Sequence, residues 1–171
     1  TGVAFGYGAK FPQKYQDALY ICDWSYGKMY AVHLAPNGAG YTGTVEEFMS
    51  ASPLPLTDIE ASKKDGAMYV SVGGRKVQSG LYRVTYAGKE STETPTLLVG
   101  GALGGGGGTV GSLMKLAEVI GPRQDLEKLH GKEDAKAVDL AWPVLGDHDR
   151  NMRFAARIAI EHQPVATWKD K

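Results

Sequence analysis

The residues of this chain whose types suit chemistry are four histidines, one cysteine, a few polar turn positions and a glycine-rich loop. His33, His130, His148 and His162 show none of the short spacings that bring two imidazoles to one metal ion. His148 and His162 flank or end helical segments, where solvation or capping of the last carbonyls is the ordinary role. Cys22 is the single cysteine, so an internal disulfide and a thiolate metal cluster are both excluded. It lies mid-strand among apolar neighbours and reads as a buried, inert thiol. Asp23-Trp24-Ser25 and Gly73-Gly74-Arg75-Lys76 occupy matching turns in two similar stretches. If those turns lie side by side, Trp24 and Arg75 make a polar rim suited to a sugar or an anion. The alternative is that Asp and Gly serve the tight turns while Trp24 packs between sheets. The loop LLVGGALGGGGGTVG resembles the start of a dinucleotide site, but neither a second parallel strand nor a terminal acidic residue follows, and no Gly-Lys-Ser/Thr is present.

Positioning these residues falls to short strands in the first half of the chain. Residues 65–86 begin on the turn dipeptide Asp65-Gly66, with two β-branched and aromatic runs at 67–72 and 80–86 and a polar segment, 73–79, between them. That pattern predicts an antiparallel hairpin with a long loop. Residues 17–34 repeat it: Tyr20 matches Tyr69 at a distance of 49, and Tyr30 matches Tyr82 at 52. With strands at 2–5, 18–22, 28–34 and 42–49, then 57–61, 67–72 and 80–86, a repeat of about 50 residues points to two consecutive blades of a β-propeller. Two unrelated hairpins of one antiparallel sheet are the plainer alternative. On the blade pattern Asp58 starts an innermost strand near the central channel. Leu19, Ile21, Met68 and Val70 face the core between blades.

The second half changes character. Residues 94–114 are an uncharged run of 21 with eight glycines, too poor in apolar area for a membrane span and better suited to a flexible hinge. Gly104–108 is expected to be mobile, since poly-Gly loses the most backbone entropy on ordering. Beyond it the period is near 3.6. Helices are predicted at 112–120 with Ser112 as N-cap and Gly121-Pro122 as the stop, at 124–130, at 134–145 kinked by Pro143, and at 150–161 capped by Asp147 or Asp149. The last two form a helical hairpin with small residues along its seam, and 165–168 looks like the start of another helix. The division is 1–88 propeller blades, 89–111 linker and Gly-rich hinge, and 112–171 helical segment. The fold class is mixed: antiparallel β followed by α-helices. The chain reads as a fragment cut from a longer protein.

Across the 171 residues, Lys plus Arg and Asp plus Glu both number 19, and no basic cluster is interleaved with aromatics. A nucleic-acid partner is therefore not expected. No signal peptide is legible at the start.

FPQKYQDALYICDWSYGKMYAVHL and LPLTDIEASKKDGAMYVSVGGRKVQSGLYRVTY resemble consecutive blades of the glucose/sorbosone dehydrogenase-type propeller. LEKLHGKEDAKAVDLAWPVLGDHDRNMRFAARIAIEHQPVATW is similar to a first HEAT-like repeat. That order resembles large bacterial secreted proteins of the haem-binding CxxCH or membrane-bound dehydrogenase type, in which a c-type cytochrome domain follows. The resemblance covers about 85 residues at one end and about 45 at the other. It implies a periplasmic or secreted protein that oxidises a sugar or alcohol, with the remaining blades and repeats as partners. A non-catalytic propeller and solenoid binding a polysaccharide or a protein is the alternative. No Cys-x-x-Cys-His is present, so no covalent haem belongs to this chain. The positions that would hold pyrroloquinoline quinone fall near Ser25, Pro55 and Thr57, none of them cationic. No catalytic residue, metal ligand or resident cofactor is therefore expected here, and the ligand-facing candidates are Asp23, Trp24, Asp58, Arg75 and Lys76.

Overall fold

The computed structural model describes residues 2–74, 76–93 and 110–171, with backbone alone at 77 and 110–116. The chain divides into two compact units: Thr1–Ala35 with Thr42–Gly107, and Pro36–Tyr41 with Gly108–Lys171.

The first unit is built on two antiparallel sheets. β1 (Val3–Phe5), β2 (Leu19–Asp23), β3 (Lys28–Asn37) and β4 (Gly40–Ser50) lie in sequence order in one. β5 (Leu56–Ala61), β6 (Met68–Gly74) and β7 (Val77–Val84) do so in the other. A short helix, α1 (Gln13–Gln16), fills the β1–β2 connection that reads as loop in the sequence. β2 pairs with β3 from Leu19↔Val32 to Asp23↔Lys28, and β6 with β7 from Met68↔Val84 to Gly74↔Val77. The strand pairings expected from the two similar stretches are thus present.

Two details depart from expectation. The β6–β7 loop is short, not long: the ladder runs on to Gly74↔Val77, and Lys76 takes φ +61 in the turn. β-branching at Val72 and Val77 favours continued pairing, and the polar residues 78 and 79 simply face water on an exposed strand. The core-facing parity of β2 is also shifted by one. Tyr20 and Cys22 are buried while Leu19 is half-buried and Ile21 is 36% exposed; Met68 and Val70 are fully buried as expected. Matching tyrosine to tyrosine slips the register, and a slip of one residue exchanges the two faces of a strand. The buried set joins both sheets in one core of Phe11, Tyr20, Cys22, Met29, Leu56, Ile59, Met68, Val70 and Val72. Phe48 packs edge-on to Tyr20 at 5.0 Å. Among the described residues β7 has no fourth strand beside it.

The second unit is helical. α2 (Val110–Glu127) runs straight through Gly121-Pro122, so Ser112 is not its cap and 124–127 is not a separate helix. Pro122 removes one backbone donor, a cost of about 3 kcal/mol in an unsupported helix. Burial of Ile120 and Leu126 on either side opposes it. α3 (Ala137–Ala141) gives way at Trp142 to a 3-10 turn, Trp142–Gly146, with Pro143 in its first turn. α4 (Arg150–Glu161) has the bounds its caps predict. Asp149 accepts hydrogen bonds from the amides of Asn151 and Met152, at 2.7 and 3.4 Å. Val165–Thr167 is a single 3-10 turn. Leu126, Leu129, Ala137, Ala141, Ala155, Ala156, Ala159 and Ile160 form the core, where alanines let the helices approach closely.

Ala39 belongs to this unit through its backbone. Its N–H donates to Asp149 Oδ2 at 2.7 Å, and its carbonyl accepts from the Arg123 guanidinium. A Cβ on Gly38 or Gly40 would crowd the Asp149 carboxylate or the Asn151 amide, and Gly38 stands at φ +57, which itself favours glycine. Asp149→Ala should therefore remove a helix cap and a partner of Ala39 at once. The expected loss is about 1–2 kcal/mol of helical-unit stability, with Asp149→Asn losing less. Chemical denaturation followed by helical circular dichroism measures it, and an unchanged midpoint for Asp149→Ala would contradict the assignment.

No helix among the described residues is long and apolar enough to cross a membrane. Of the expected hinge at 89–111, residues 94–109, including Gly104–108, lie outside the described residues, as does the candidate Arg75, while Val110 and Gly111 open α2 instead.

Candidate rim cleft of the sheet unit

The β2–β3 turn is closed by Asp23, whose Oδ1 accepts from the amides of Ser25 and Tyr26 at 3.0 Å each. Gly27 completes it at φ +62, a conformation that favours glycine. The turn holds Trp24 and Tyr26 outward, 42% and 77% exposed. Trp24 is nevertheless fixed. Its indole N–H donates to the Gly73 carbonyl at 2.8 Å, and its ring lies so close to Gly74 that a Cβ there would stand 2.8 Å away. Asp23-Trp24-Ser25 and Gly73-Gly74 are thus brought together at one rim.

Residues 51–55 close the site from a third direction. Two prolines keep this segment out of the sheets, and backbone bonds pin it at both ends: Ala51 N–H to Gly27 O at 3.1 Å, and Gly73 N–H to Pro55 O at 2.9 Å. Together they enclose an open cleft of about 250 Å³ lined by Trp24, Ser25, Tyr26, Gly27, Ala51, Ser52, Pro53, Leu54 and Pro55. Among the described residues no charged side chain lines it. Two serine hydroxyls and the Tyr26 phenol stand among aromatic and proline faces. Because the Trp24 N–H is engaged, that residue offers its ring, not a donor.

The other candidates stand apart from this cleft. Asp58 is exposed on β5, where its carboxylate accepts from the neighbouring Ile59 amide at 2.9 Å. Lys76 is exposed in the β6–β7 turn. Neither lines the cleft, and among the described residues neither forms an ion pair. Cys22 is buried; burial first, then the Asp58 carboxylate, pushes its thiol up from the ordinary value. Tyr26 and Pro53 were not among the sequence candidates, and the prolines meet the Trp24 turn only through the fold. The exposed aromatic at Tyr26, two positions from Trp24, was the one available signal.

No family model matches the chain, and neither a curated protein nor a solved structure matches it. The assignment of the cleft therefore rests on its own geometry.

Quinone binding can be judged on the same geometry. Pyrroloquinoline quinone carries three carboxylates, and burying each without a cation costs several kcal/mol. Ser25 and Pro55 line a cleft with no charged side chain among the described residues, and Thr57 spends its hydroxyl on Ser71 at 2.8 Å. These three positions offer the quinone no cation. Among the described residues no three His, Cys, Asp or Glu side chains converge as a metal site either.

Three carboxylates elsewhere are held in place by donors. Glu46 accepts from the Tyr15 hydroxyl and His33 Nε2, at 2.8 Å each, and its carboxyl lies below the usual range, the tyrosine contributing most. Asp65 is lowered by the Ser62 hydroxyl first, then by the Ala67 amide, Tyr69 and Arg83. Asp149 is lowered first by the Ala39 amide. All three are thus depressed on folding, so their contribution is complete above the unfolded carboxylate values near pH 4 and is lost as pH falls through the folded ones. Thermal stability is expected to hold from about pH 7 to 5 and to decline below about pH 4. A melting temperature at pH 3 equal to that at pH 7 would contradict this.

Proposed function

We propose that this chain is a binding module, without catalysis of its own, that holds a neutral oligosaccharide at the rim cleft of Trp24 and Tyr26. The single observation behind this is two exposed aromatic rings beside prolines and serines in a cleft with no charged lining among the described residues. A sugar ring has apolar C–H faces and a hydroxyl edge. The faces stack on aromatic rings and the edge exchanges hydrogen bonds with serine hydroxyls and backbone groups. Trp24 is locked by Gly73, so little ordering entropy is lost at that residue on binding. The reading takes the sheets as consecutive propeller-type blades and α3 with α4 as a HEAT-like hairpin, in a periplasmic or secreted protein of that domain order. Oxidation of a sugar or alcohol is the weaker reading, because the residues that would meet a quinone are uncharged.

Calorimetric titration with neutral hexaoses (cellohexaose, chitohexaose, mannohexaose, xylohexaose) tests it. At least one should bind with a dissociation constant of about 0.1–1 mM, or about −4 to −5.5 kcal/mol. Tyr26→Ala, at a side chain 77% exposed, should weaken it about tenfold, and Trp24→Ala should abolish it. Absence of heat with all four, or affinity indifferent to Tyr26→Ala, would overturn the proposal.

A further inference from the structure

One face of α4 carries Arg150, Arg153 and Arg157, which with Leu145 and Phe154 line an open groove of about 440 Å³ in the helical unit. The three arginines recur at intervals of three and four, so they share one side of the helix over about 10 Å of its length. Phe154 between them is 56% exposed, and the Arg157 guanidinium lies 5.2 Å from its ring centroid.

The carboxylates nearby do not neutralise this face. Asp149 is turned to the amides of Ala39, Asn151 and Met152. Asp147 Oδ1 accepts from the Asp149 amide at 2.7 Å and meets His148 at 3.3 Å. Among the described residues only Glu161 pairs with one of the three, Arg157, at 3.3 Å, and it does not line the groove. Arg153 donates to the carbonyls of Asp147 and His148, which anchors it without cancelling its charge. Among the described residues Arg150 forms no ion pair. Two of the three guanidinium groups, Arg150 and Arg153, thus meet no carboxylate among the described residues, beside the apolar side chains of Leu145 and Phe154.

We propose that this groove docks an acidic peptide segment of a partner protein, with two carboxylates on the arginines and an apolar side chain on Leu145 and Phe154. In an extended peptide, side chains two apart share a face at about 7 Å, a spacing the arginine row can meet in two places. Guanidinium groups bind carboxylates through paired N–H donors, which gives direction as well as charge. A nucleic acid is disfavoured because three cations over one short groove engage few phosphates and the whole chain has no net positive charge. This site is independent of the rim cleft.

The test uses the full chain and a fluorescein-labelled hexapeptide, Glu-Leu-Glu-Asp-Leu-Glu, followed by anisotropy. Saturable binding at about 20 mM salt is expected, weakened at least about tenfold at 300 mM salt, in Arg150→Glu/Arg157→Glu and, to a smaller extent, in Phe154→Ala. Helical circular dichroism should be unchanged in these variants, since none of the three side chains is buried. Any of four results would overturn the proposal. These are no binding, affinity unaltered in the double variant, equal binding of a Lys-Leu-Lys-Lys-Leu-Lys control or of a labelled oligonucleotide, and concentration-dependent self-association abolished by the same double variant. The last would assign the face to a second copy.

Discussion

Tyr20→Ala should destabilise the sheet unit by about 3–5 kcal/mol, whereas Ile21→Ala one residue along should cost less than about 1 kcal/mol. Tyr20 is fully buried in the core shared by both sheets. Its ring packs edge-on to Phe48, and its hydroxyl donates to the Tyr15 carbonyl at 3.0 Å. Truncation leaves a cavity of aromatic size and an orphaned acceptor together. Ile21 pairs with Val3 and Tyr30 but faces outward. Urea denaturation monitored by a sheet-specific signal separates the two variants. Equal losses, or a larger loss at Ile21, would mean the strand is registered the other way round.

The next largest effect is expected at Gln163, one of two buried polar side chains among the described residues. Its Nε2 donates to the carbonyls of Lys132 and Ala159 at 3.0 and 2.9 Å, and its Oε1 accepts from the Asp134 amide at 2.9 Å. One side chain thereby ties the loop before α3 to the end of α4. Gln163→Ala removes every one of these partners while the backbone groups stay in place, at an expected cost of about 2–3 kcal/mol. Gln163→Glu keeps the shape but turns a carboxylate oxygen toward two carbonyls, so it should cost at least as much as Gln163→Ala. Hydrogen exchange at the Asp134 amide reads the effect directly. Protection that survives Gln163→Ala would show the bond to be dispensable.

How much of this was legible follows from the range over which each signal acts. α4 could be bounded to the residue because its cap, its 3.6-residue stripe and the proline after it are all local. The strands of both sheets were legible for the same reason, through turn glycines and β-branched runs. The face of β2 was not. Tyr20 and Tyr69 are alike in sequence, yet Tyr20 is buried and Tyr69 turns its hydroxyl to Asp65 at 2.9 Å. Residue type does not decide facing where an amphipathic side chain suits either environment. Gly121-Pro122 failed as a stop because burial around Ile120 outweighs a local breaker. The site was half legible: Trp24 and its turn, which also carries Tyr26, are local in sequence, while Pro53 and Pro55 join it only through the backbone bonds that draw 51–55 against two distant turns.

The most direct test of the central claim is a nitrogen-15 NMR titration of the full chain with the same four neutral hexaoses. The indole N–H signals of Trp24, Trp142 and Trp168 report on the rim cleft and on the helical unit separately. Carbohydrate binding at the rim predicts that at least one hexaose shifts the Trp24 indole signal and the amides of Ser25, Tyr26 and Gly27 in a saturable way, leaving Trp142 and Trp168 unmoved. No shift at Trp24 with any of the four, or saturable shifts centred away from residues 24–27 and 51–55, would contradict it.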